Sequence, residues 1–113
     1  MIDLIYYARP FTFAIEPLKK YKHESSVLHE TTEALIISTI PLTDYYDVSW
    51  NNVLDNKLFD LAEEMIKQCD MFVYQGESKG VLKELSYAKK YGKPIKTYWE
   101  VIIWADTKWK LTT

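Results

Sequence analysis

The 113-residue chain contains one cysteine, three glycines and four prolines. With Cys69 alone, the sequence excludes an intramolecular disulfide and a cysteine-rich zinc site. No apolar run approaches the roughly 20 residues that cross a bilayer, and the sequence does not open with a signal peptide. Fourteen basic against sixteen acidic residues leave no excess of positive charge for a nucleic acid. We therefore expect one cytoplasmic domain over residues 1–113, with neither membrane nor nucleic acid as partner.

Aromatic residues are abundant by contrast, at 15% of the chain with nine tyrosines and four tryptophans. Such rings build either a core and a subunit interface or the walls of a pocket for a flat ligand such as a nucleobase. Trp99, Trp104 and Trp109 lie close together in the sequence and favour an interface. This pattern predicts a homo-oligomer.

Hydrophobic patterns alternate between strand and helix along the chain. Short apolar runs typical of buried strands occupy residues 4–8, 34–40, 70–74 and 95–98. Helices are expected within 18–33 (with a break near Ser25), over 52–69 and over 80–91. Residues 43–52 are expected to form a loop, and residues 101–104 a fifth strand or an interface segment. The alternation predicts an α/β fold, a three-layer sandwich with a four- to five-stranded, mainly parallel sheet of the Rossmann or flavodoxin-like type.

In such a fold, ligands bind at the carboxyl ends of the strands, and the turn after the third strand is the most informative of these. It contains Gly76 and leads to Ser78, a suitable N-cap for the following helix. Gly80 allows backbone amides to approach a ligand closely. A helix that begins in this way suits an anion, although many helices carry the same residues only to cap themselves.

Glu84 shares the apolar stripe of this helix with Val81 and Leu85. A carboxylate there is costly unless it is paired, hydrogen-bonded or open to a cleft. Either Glu84 reaches water at the edge of the stripe, or it faces the same crevice as Ser78. In the second arrangement it could act as a nucleophile or a base.

The segment from Ser78 to Ala88, after a strand preceded by Cys69 and Asp70, resembles the signature of the nucleoside 2-deoxyribosyltransferase-like superfamily. The resemblance is clearest from about residue 58 to residue 98. Within that superfamily it is closest to the 2'-deoxynucleoside 5'-phosphate N-hydrolases and to short phage and bacterial relatives of unknown function. It implies a homo-oligomeric α/β protein that cleaves or exchanges the N-glycosidic bond of a nucleoside or nucleotide.

The resemblance also implies roles for individual residues. Glu84 matches the catalytic glutamate, which would attack the anomeric carbon and hold a covalent glycosyl intermediate. Ser78 matches the serine that contacts the 5'-phosphate. Rings from the first strand line the sugar and base pocket in relatives, and the candidates here are Tyr6 or Tyr7 together with Phe11.

Two positions depart from the family pattern. A second acidic residue of the family falls on Ala62 here, and its replacements as proton donor to the leaving base are Asp55 and Asp44. Arg9 occupies the place of a small residue, where it could pair with a phosphate or with Glu84, or be a surface arginine.

Together these features predict a nucleotide-handling protein, an N-glycosidase that cleaves the base–sugar bond of a (deoxy)nucleoside 5'-monophosphate with Glu84 as nucleophile. The alternative is a non-catalytic binder that senses or sequesters a nucleotide-derived metabolite or signalling molecule. His23 and His29 lie in a polar stretch and do not form a metal-binding pattern. We expect neither a metal nor a cofactor.

Overall fold

The computed structural model describes residues 2–11, 16–46 and 52–103. In chain order its elements are β1 (Leu4–Ala8), α1 (Pro17–Thr32), β2 (Leu35–Ile37), α2 (Ile40–Tyr46), α3 (Asn52–Gln68), β3 (Met71–Tyr74), α4 (Lys79–Lys90) and β4 (Ile95–Thr97). Residues 98–103 are also helical. Within the described ranges, no helix combines the length and the apolar character needed to cross a membrane.

The four strands form one parallel sheet in the order β2-β1-β3-β4. Strand β1 lies in the interior of the sheet, and its residues are shielded on both faces. Ile5 and Tyr7 pack on the side of α1, whereas Tyr6 and Ala8 pack on the side of α3 and α4. Burial on both faces explains why β1 is a continuous apolar and aromatic run. The predicted α/β three-layer fold is confirmed.

The strand order places a topological switch point between β1 and β3. From β1 the chain crosses to β2 on one side of the sheet, and it later returns to β3 on the other side. The segments after β1 and β3 therefore lead to helices on opposite faces of the sheet, α1 and α4, and a crevice opens outside the carboxyl ends of these two strands. Tyr6 pairs with Phe72 across this boundary, and their rings stack with centroids 5.8 Å apart.

Helix α1 is continuous across Ser25, so the predicted break there is wrong. The hydroxyl of Ser26 donates to the carbonyl of Lys22, 3.0 Å away and four residues earlier. This bond satisfies the serine inside the helix, because a serine hydroxyl can reach the carbonyl one turn before it. Pro17 occupies the first turn, where its missing N–H costs nothing.

The second strand is shorter than predicted, and part of the predicted loop is helical. Strand β2 ends at Ile37, and residues 40–46 form α2. Ser38 Oγ accepts a hydrogen bond from the backbone N–H of Ile40 (3.1 Å). Pro41, which marks the end of a strand in the sequence, instead fits the first turn of a helix. Residues 47–51 of the predicted loop lie outside the described residues.

A fifth strand is not formed by residues 101–103, which belong to a helical segment that begins at residue 98. The backbone N–H of Glu100 donates to Thr97 Oγ1 (3.2 Å), and Glu100 Oε1 accepts from the N–H of Thr97 (3.1 Å). These reciprocal bonds are those of a capping box, which starts a helix. Trp99 in this segment is 58% exposed, whereas Trp104 and Trp109 lie outside the described residues.

Candidate active site

A cavity of about 490 Å³ lies at the carboxyl ends of the strands, a volume that suits one small organic ligand. Its walls come from the segment after β1, from the region where α2 begins, from α3 and from the first turns of α4. The lining residues are Arg9, Phe11, Thr39, Ile40, Thr43, Asp55, Leu58, Phe59, Ser78, Lys79, Gly80, Val81 and Glu84.

Glu84 borders the cavity from α4, where its side chain is half-buried. The hydroxyl of Tyr6 donates a hydrogen bond to Glu84 Oε2. Tyr6 is completely buried, and its oxygen also lies 3.5 Å from Thr39 Oγ1. Tyr6 therefore fixes the Glu84 carboxylate from the sheet side of the cavity.

This environment makes Glu84 titrate near neutral pH. Burial raises the pKa of Glu84 from 4.5 to about 7, and the hydrogen bond from Tyr6 opposes part of that rise. Burial and the adjacent Glu84 charge raise the pKa of Tyr6 well above 10, so Tyr6 stays a donor. Both forms of Glu84 are therefore available around pH 7, where an ionised carboxylate can act as a nucleophile and a neutral carboxyl group as a proton donor.

The start of α4 forms another wall of the cavity. Ser78 is the N-cap, and its Oγ accepts from the backbone N–H of Val81 (3.2 Å). The hydroxyl proton of Ser78 remains available to a ligand, as do first-turn amides that have no acceptor within the helix. A Cβ built on Gly80 would lie 3.7 Å from Phe59 Cζ and 3.9 Å from Ser78 Oγ, both ordinary contact distances, so a methyl group there would occupy the space beside the Ser78 hydroxyl.

Helix α3 supplies a wall with one carboxylate and one ring. Asp55 is exposed and lines the cavity, as the sequence predicts for a second acid. Phe59 lines it too, and Lys83 Nζ lies 4.2 Å from the centroid of the Phe59 ring. Sequence reasoning missed Phe59, because it sits beside the apolar stripe of α3 and carries no motif.

Ala62, the position of the family's second acid, is in the core. It is 1% exposed and packs with Tyr6, Ile66 and Val81 between α3 and the sheet. A carboxylate there would be buried away from the cavity, so Asp55 is the carboxylate of α3 that can serve a ligand.

Arg9 lines the cavity and is neither paired with Glu84 nor a surface residue. Its side chain is 9% exposed, and its Nε lies 2.7 Å from Oε1 of Glu24 in α1. The Nε–H is not aligned with that oxygen, so the contact is an ion pair rather than a linear hydrogen bond. Arg9 Nη1 donates to the carbonyl of Pro10 (3.2 Å).

Four residues singled out by the sequence do not line the cavity, and one of them, Tyr6, meets it only through its hydrogen bond to Glu84. Asp44 is exposed on α2. Tyr7 points to the α1 side of the sheet, where its hydroxyl contacts Glu24 (3.0 Å). Gly76 has φ +79°, and a Cβ on it would lie 2.7 Å from Pro10 Cγ. Gly76 therefore shapes the turn after β3 and lets the chain pass Pro10.

No group of three or more histidine, cysteine or acidic side chains in residues 2–11, 16–46 and 52–103 could hold a metal ion. Comparison with known proteins gives no match to a protein-family model and no significant match to a curated protein.

Proposed function

We propose that the protein cleaves the N-glycosidic bond of a (deoxy)nucleoside 5'-monophosphate, with Glu84 as nucleophile. The observation that carries this proposal is the Glu84 carboxylate, which lines a cavity together with a helix N-terminus and accepts a hydrogen bond from the buried Tyr6 hydroxyl. Ser78 precedes Glu84 by six residues, which is about 9 Å along a helix. A sugar 5-phosphate would place its phosphate at Ser78 and its anomeric carbon toward Glu84.

The bond changes in this proposal balance without a cofactor. The ionised carboxylate of Glu84 forms a bond to the anomeric carbon while the bond from that carbon to the base nitrogen breaks. Asp55, which lines the cavity, relays a proton from solvent to the leaving base. Water then attacks the anomeric carbon, releases Glu84 and gives up its proton to solvent through Asp55.

Phosphate recognition in this proposal depends on the first turn of α4. The backbone amides after Ser78 point out of the helix end, where the dipole favours negative charge. The Ser78 hydroxyl adds a donor at the same place. Gly80 leaves the space in which a phosphate oxygen would lie.

The proposal extends to the assembly and the cellular location. Trp99 and Ile103 are 58% and 62% exposed and lie one helical turn apart, which supports self-association through this segment. A cytoplasmic homo-oligomer acting on soluble nucleotides is therefore the proposed form. Sedimentation equilibrium checks the assembly, and a purely monomeric protein at micromolar concentration would contradict it.

The test of the reaction is the release of free base. The parent protein, Glu84→Gln and Glu64→Gln are incubated with a panel of ribo- and deoxyribonucleoside 5'-monophosphates, and the base is measured by chromatography. Glu64 is an exposed residue of α3 outside the cavity and serves as the matched control. We expect release by the parent and by the control, and a rate at least about a thousandfold lower for Glu84→Gln. Equal rates for Glu84→Gln and the parent would refute the assignment.

A second candidate is a non-catalytic nucleotide binder that uses the same cavity. It is favoured by the pKa of about 7 for Glu84, because a partly neutral carboxyl group is a weaker nucleophile. Tight binding of a monophosphate with no base release from any member of the panel would support the binder.

A further inference from the structure

We infer that Glu24 is a positioning residue that holds the Arg9 guanidinium at the cavity wall, where its free N–H groups select a ligand with a phosphate monoester over the same ligand without it. The inference rests on the proposed function, since it names the side chains that would make nucleotide recognition phosphate-dependent. Its basis is a buried polar cluster on the α1 side of the sheet, formed by Tyr7, Arg9, Glu24 and Gln75.

The ion pair between Arg9 and Glu24 is nearly closed to water. The two side chains are 9% and 13% exposed, and Arg9 Nε lies 2.7 Å from Glu24 Oε1. A buried guanidinium is costly unless it is paired, and Glu24 supplies the compensating charge. Glu24 therefore determines where the Arg9 side chain can lie.

Glu24 is itself fixed by Tyr7. The Tyr7 hydroxyl lies 3.0 Å from Glu24 Oε1 and 2.8 Å from Gln75 Oε1, and its single proton can serve one of them at a time. Burial, followed by the Glu24 charge, raises the pKa of Tyr7 well above its usual value, so the hydroxyl remains a donor. The cluster ties α1 to the ends of β1 and β3 and leaves Arg9 little freedom to move.

Part of the guanidinium is left for a ligand. Arginine has five N–H donors. One faces Glu24 and one is donated to the Pro10 carbonyl. The guanidinium also makes a side-chain hydrogen bond with the Tyr7 hydroxyl, so the donors that remain are those not used by Glu24, Pro10 and Tyr7. Because Arg9 lines the cavity, its remaining donors are placed for an oxyanion, and a planar guanidinium suits two phosphate oxygens at once.

Arg9 and Ser78 lie at the same end of the cavity, because the loops after β1 and β3 touch. The backbone N–H of Gln75 donates to the carbonyl of Ala8 (2.9 Å), and Gly76 packs against Pro10. Arg9 adjoins this contact from one loop, and Ser78 follows it by two residues in the other. A phosphate at the start of α4 would therefore have Arg9 on its other side.

The test compares nucleoside 5'-monophosphates with the matching nucleosides by isothermal titration calorimetry. The parent is compared with Arg9→Gln, Glu24→Gln, the double variant and Glu30→Gln. Glu30 is an exposed residue of α1 outside the cavity and is the matched control. Affinity for the tightest monophosphate should fall about tenfold to a hundredfold in Arg9→Gln and Glu24→Gln, the range for a lost hydrogen bond to a charged group. Affinity for the matching nucleoside should stay within about twofold, a change far below that range.

The double variant separates positioning from general stability. If Glu24 acts through Arg9, the double variant should lose no more phosphate selectivity than Arg9→Gln alone. Should Glu24→Gln fail to fold, Glu24→Asp keeps the charge but shortens the reach, and it should give an intermediate loss. A ratio of monophosphate to nucleoside affinity that is unchanged in Arg9→Gln or Glu24→Gln overturns the inference.

The outcomes also separate this inference from the proposed function. A parent that binds monophosphates through Arg9 and Glu24 but releases no base would refute the N-glycosidase and keep the inference. Base release by a parent whose preference for monophosphates does not depend on Arg9 would refute the inference and keep the N-glycosidase. Binding of no monophosphate at all would overturn both.

Discussion

Two neighbouring tyrosines of β1 send their hydroxyl groups to opposite faces of the sheet, and each donates to a glutamate. Tyr6 meets Glu84 on the side of α3 and α4, whereas Tyr7 meets Glu24 on the side of α1. The two pairs share residue types and a strand. They differ in what else surrounds the carboxylate.

The two pairs differ because a cation, Arg9, lies beside Glu24 but not beside Glu84. Arg9 Nε lies 2.7 Å from Glu24 Oε1, so the positive charge of the guanidinium balances the negative charge of Glu24. Glu84 makes no ion pair with any residue of the described ranges, and burial raises its pKa to about 7. One carboxylate is thus locked into the structure, while the other stays poised to gain or lose a proton. A half-buried carboxylate at a cavity wall with no neighbouring cation is the one that a functional site would use.

The largest expected effect comes from removing the charge of Glu24. Glu24→Gln leaves the buried Arg9 guanidinium unpaired, and we expect a loss of about 3 kcal/mol in the free energy of unfolding. Urea denaturation at pH 7 measures it, with Glu30→Gln as the control on the same helix. A loss equal to that of the control would show that the ion pair contributes nothing to stability.

Replacing Glu84 should change the free energy of unfolding in the opposite direction to replacing Glu24, because neutral Glu84 is the form that the folded protein favours. The folded state holds the Glu84 proton up to about pH 7, whereas the unfolded chain releases it near 4.5. The stabilisation is therefore complete below pH 4.5 and is lost as the pH rises to 7, by about 3 kcal/mol in total. Glu84→Gln should remove this pH dependence and be more stable than the parent at pH 8. Denaturation curves between pH 4 and pH 8 provide the check, and parallel curves for the two proteins would contradict it.

Replacing Tyr6 or Tyr7 should have a smaller effect on stability, and the two replacements should differ in their effect on Glu84. Tyr6→Phe and Tyr7→Phe should each cost about 1 kcal/mol of stability for the lost hydrogen bond. Only Tyr6→Phe should move the pH profile of base release to higher pH, because its hydroxyl lowers the pKa of Glu84. The midpoint of the rate–pH curve is the measurement. A shift of the same size in Tyr7→Phe would show that the two faces are not independent.

The smallest effect on stability is expected at Gly80, which contacts neither glutamate pair. An alanine there finds ordinary contact distances and gains helix propensity, so stability should change by less than about 1 kcal/mol. Its methyl group would fill the space beside Ser78 Oγ, and monophosphate binding should weaken at least about tenfold, like the loss of a charged hydrogen bond. Calorimetry with Lys89→Ala, an exposed change on the same helix, is the control. Unchanged affinity would place the phosphate away from the start of α4.

Local patterns predicted most of the fold, because hydrophobic period and capping act between residues near in sequence. The α/β alternation, the span of α3 and the Ser78 N-cap were readable in this way. The helical segment at 98–103 was missed although a local signal exists: Thr97 and Glu100 have the spacing of a capping box. The extra helix α2 was missed because Pro41 ends a strand and begins a helix equally well.

What the sequence alone determined was the alternation of the main strands and helices and the place of Glu84 on the apolar stripe of α4, since both follow from spacing along one helix or strand. Tertiary structure alone decided which tyrosine of β1 meets Glu84, because alternation puts Tyr6 and Tyr7 on opposite faces without saying which face bears the cavity. It also decided that Arg9 pairs with Glu24, fifteen residues away, rather than with Glu84. Such partners depend on how α1 packs across the sheet, and no spacing within one element contains that information.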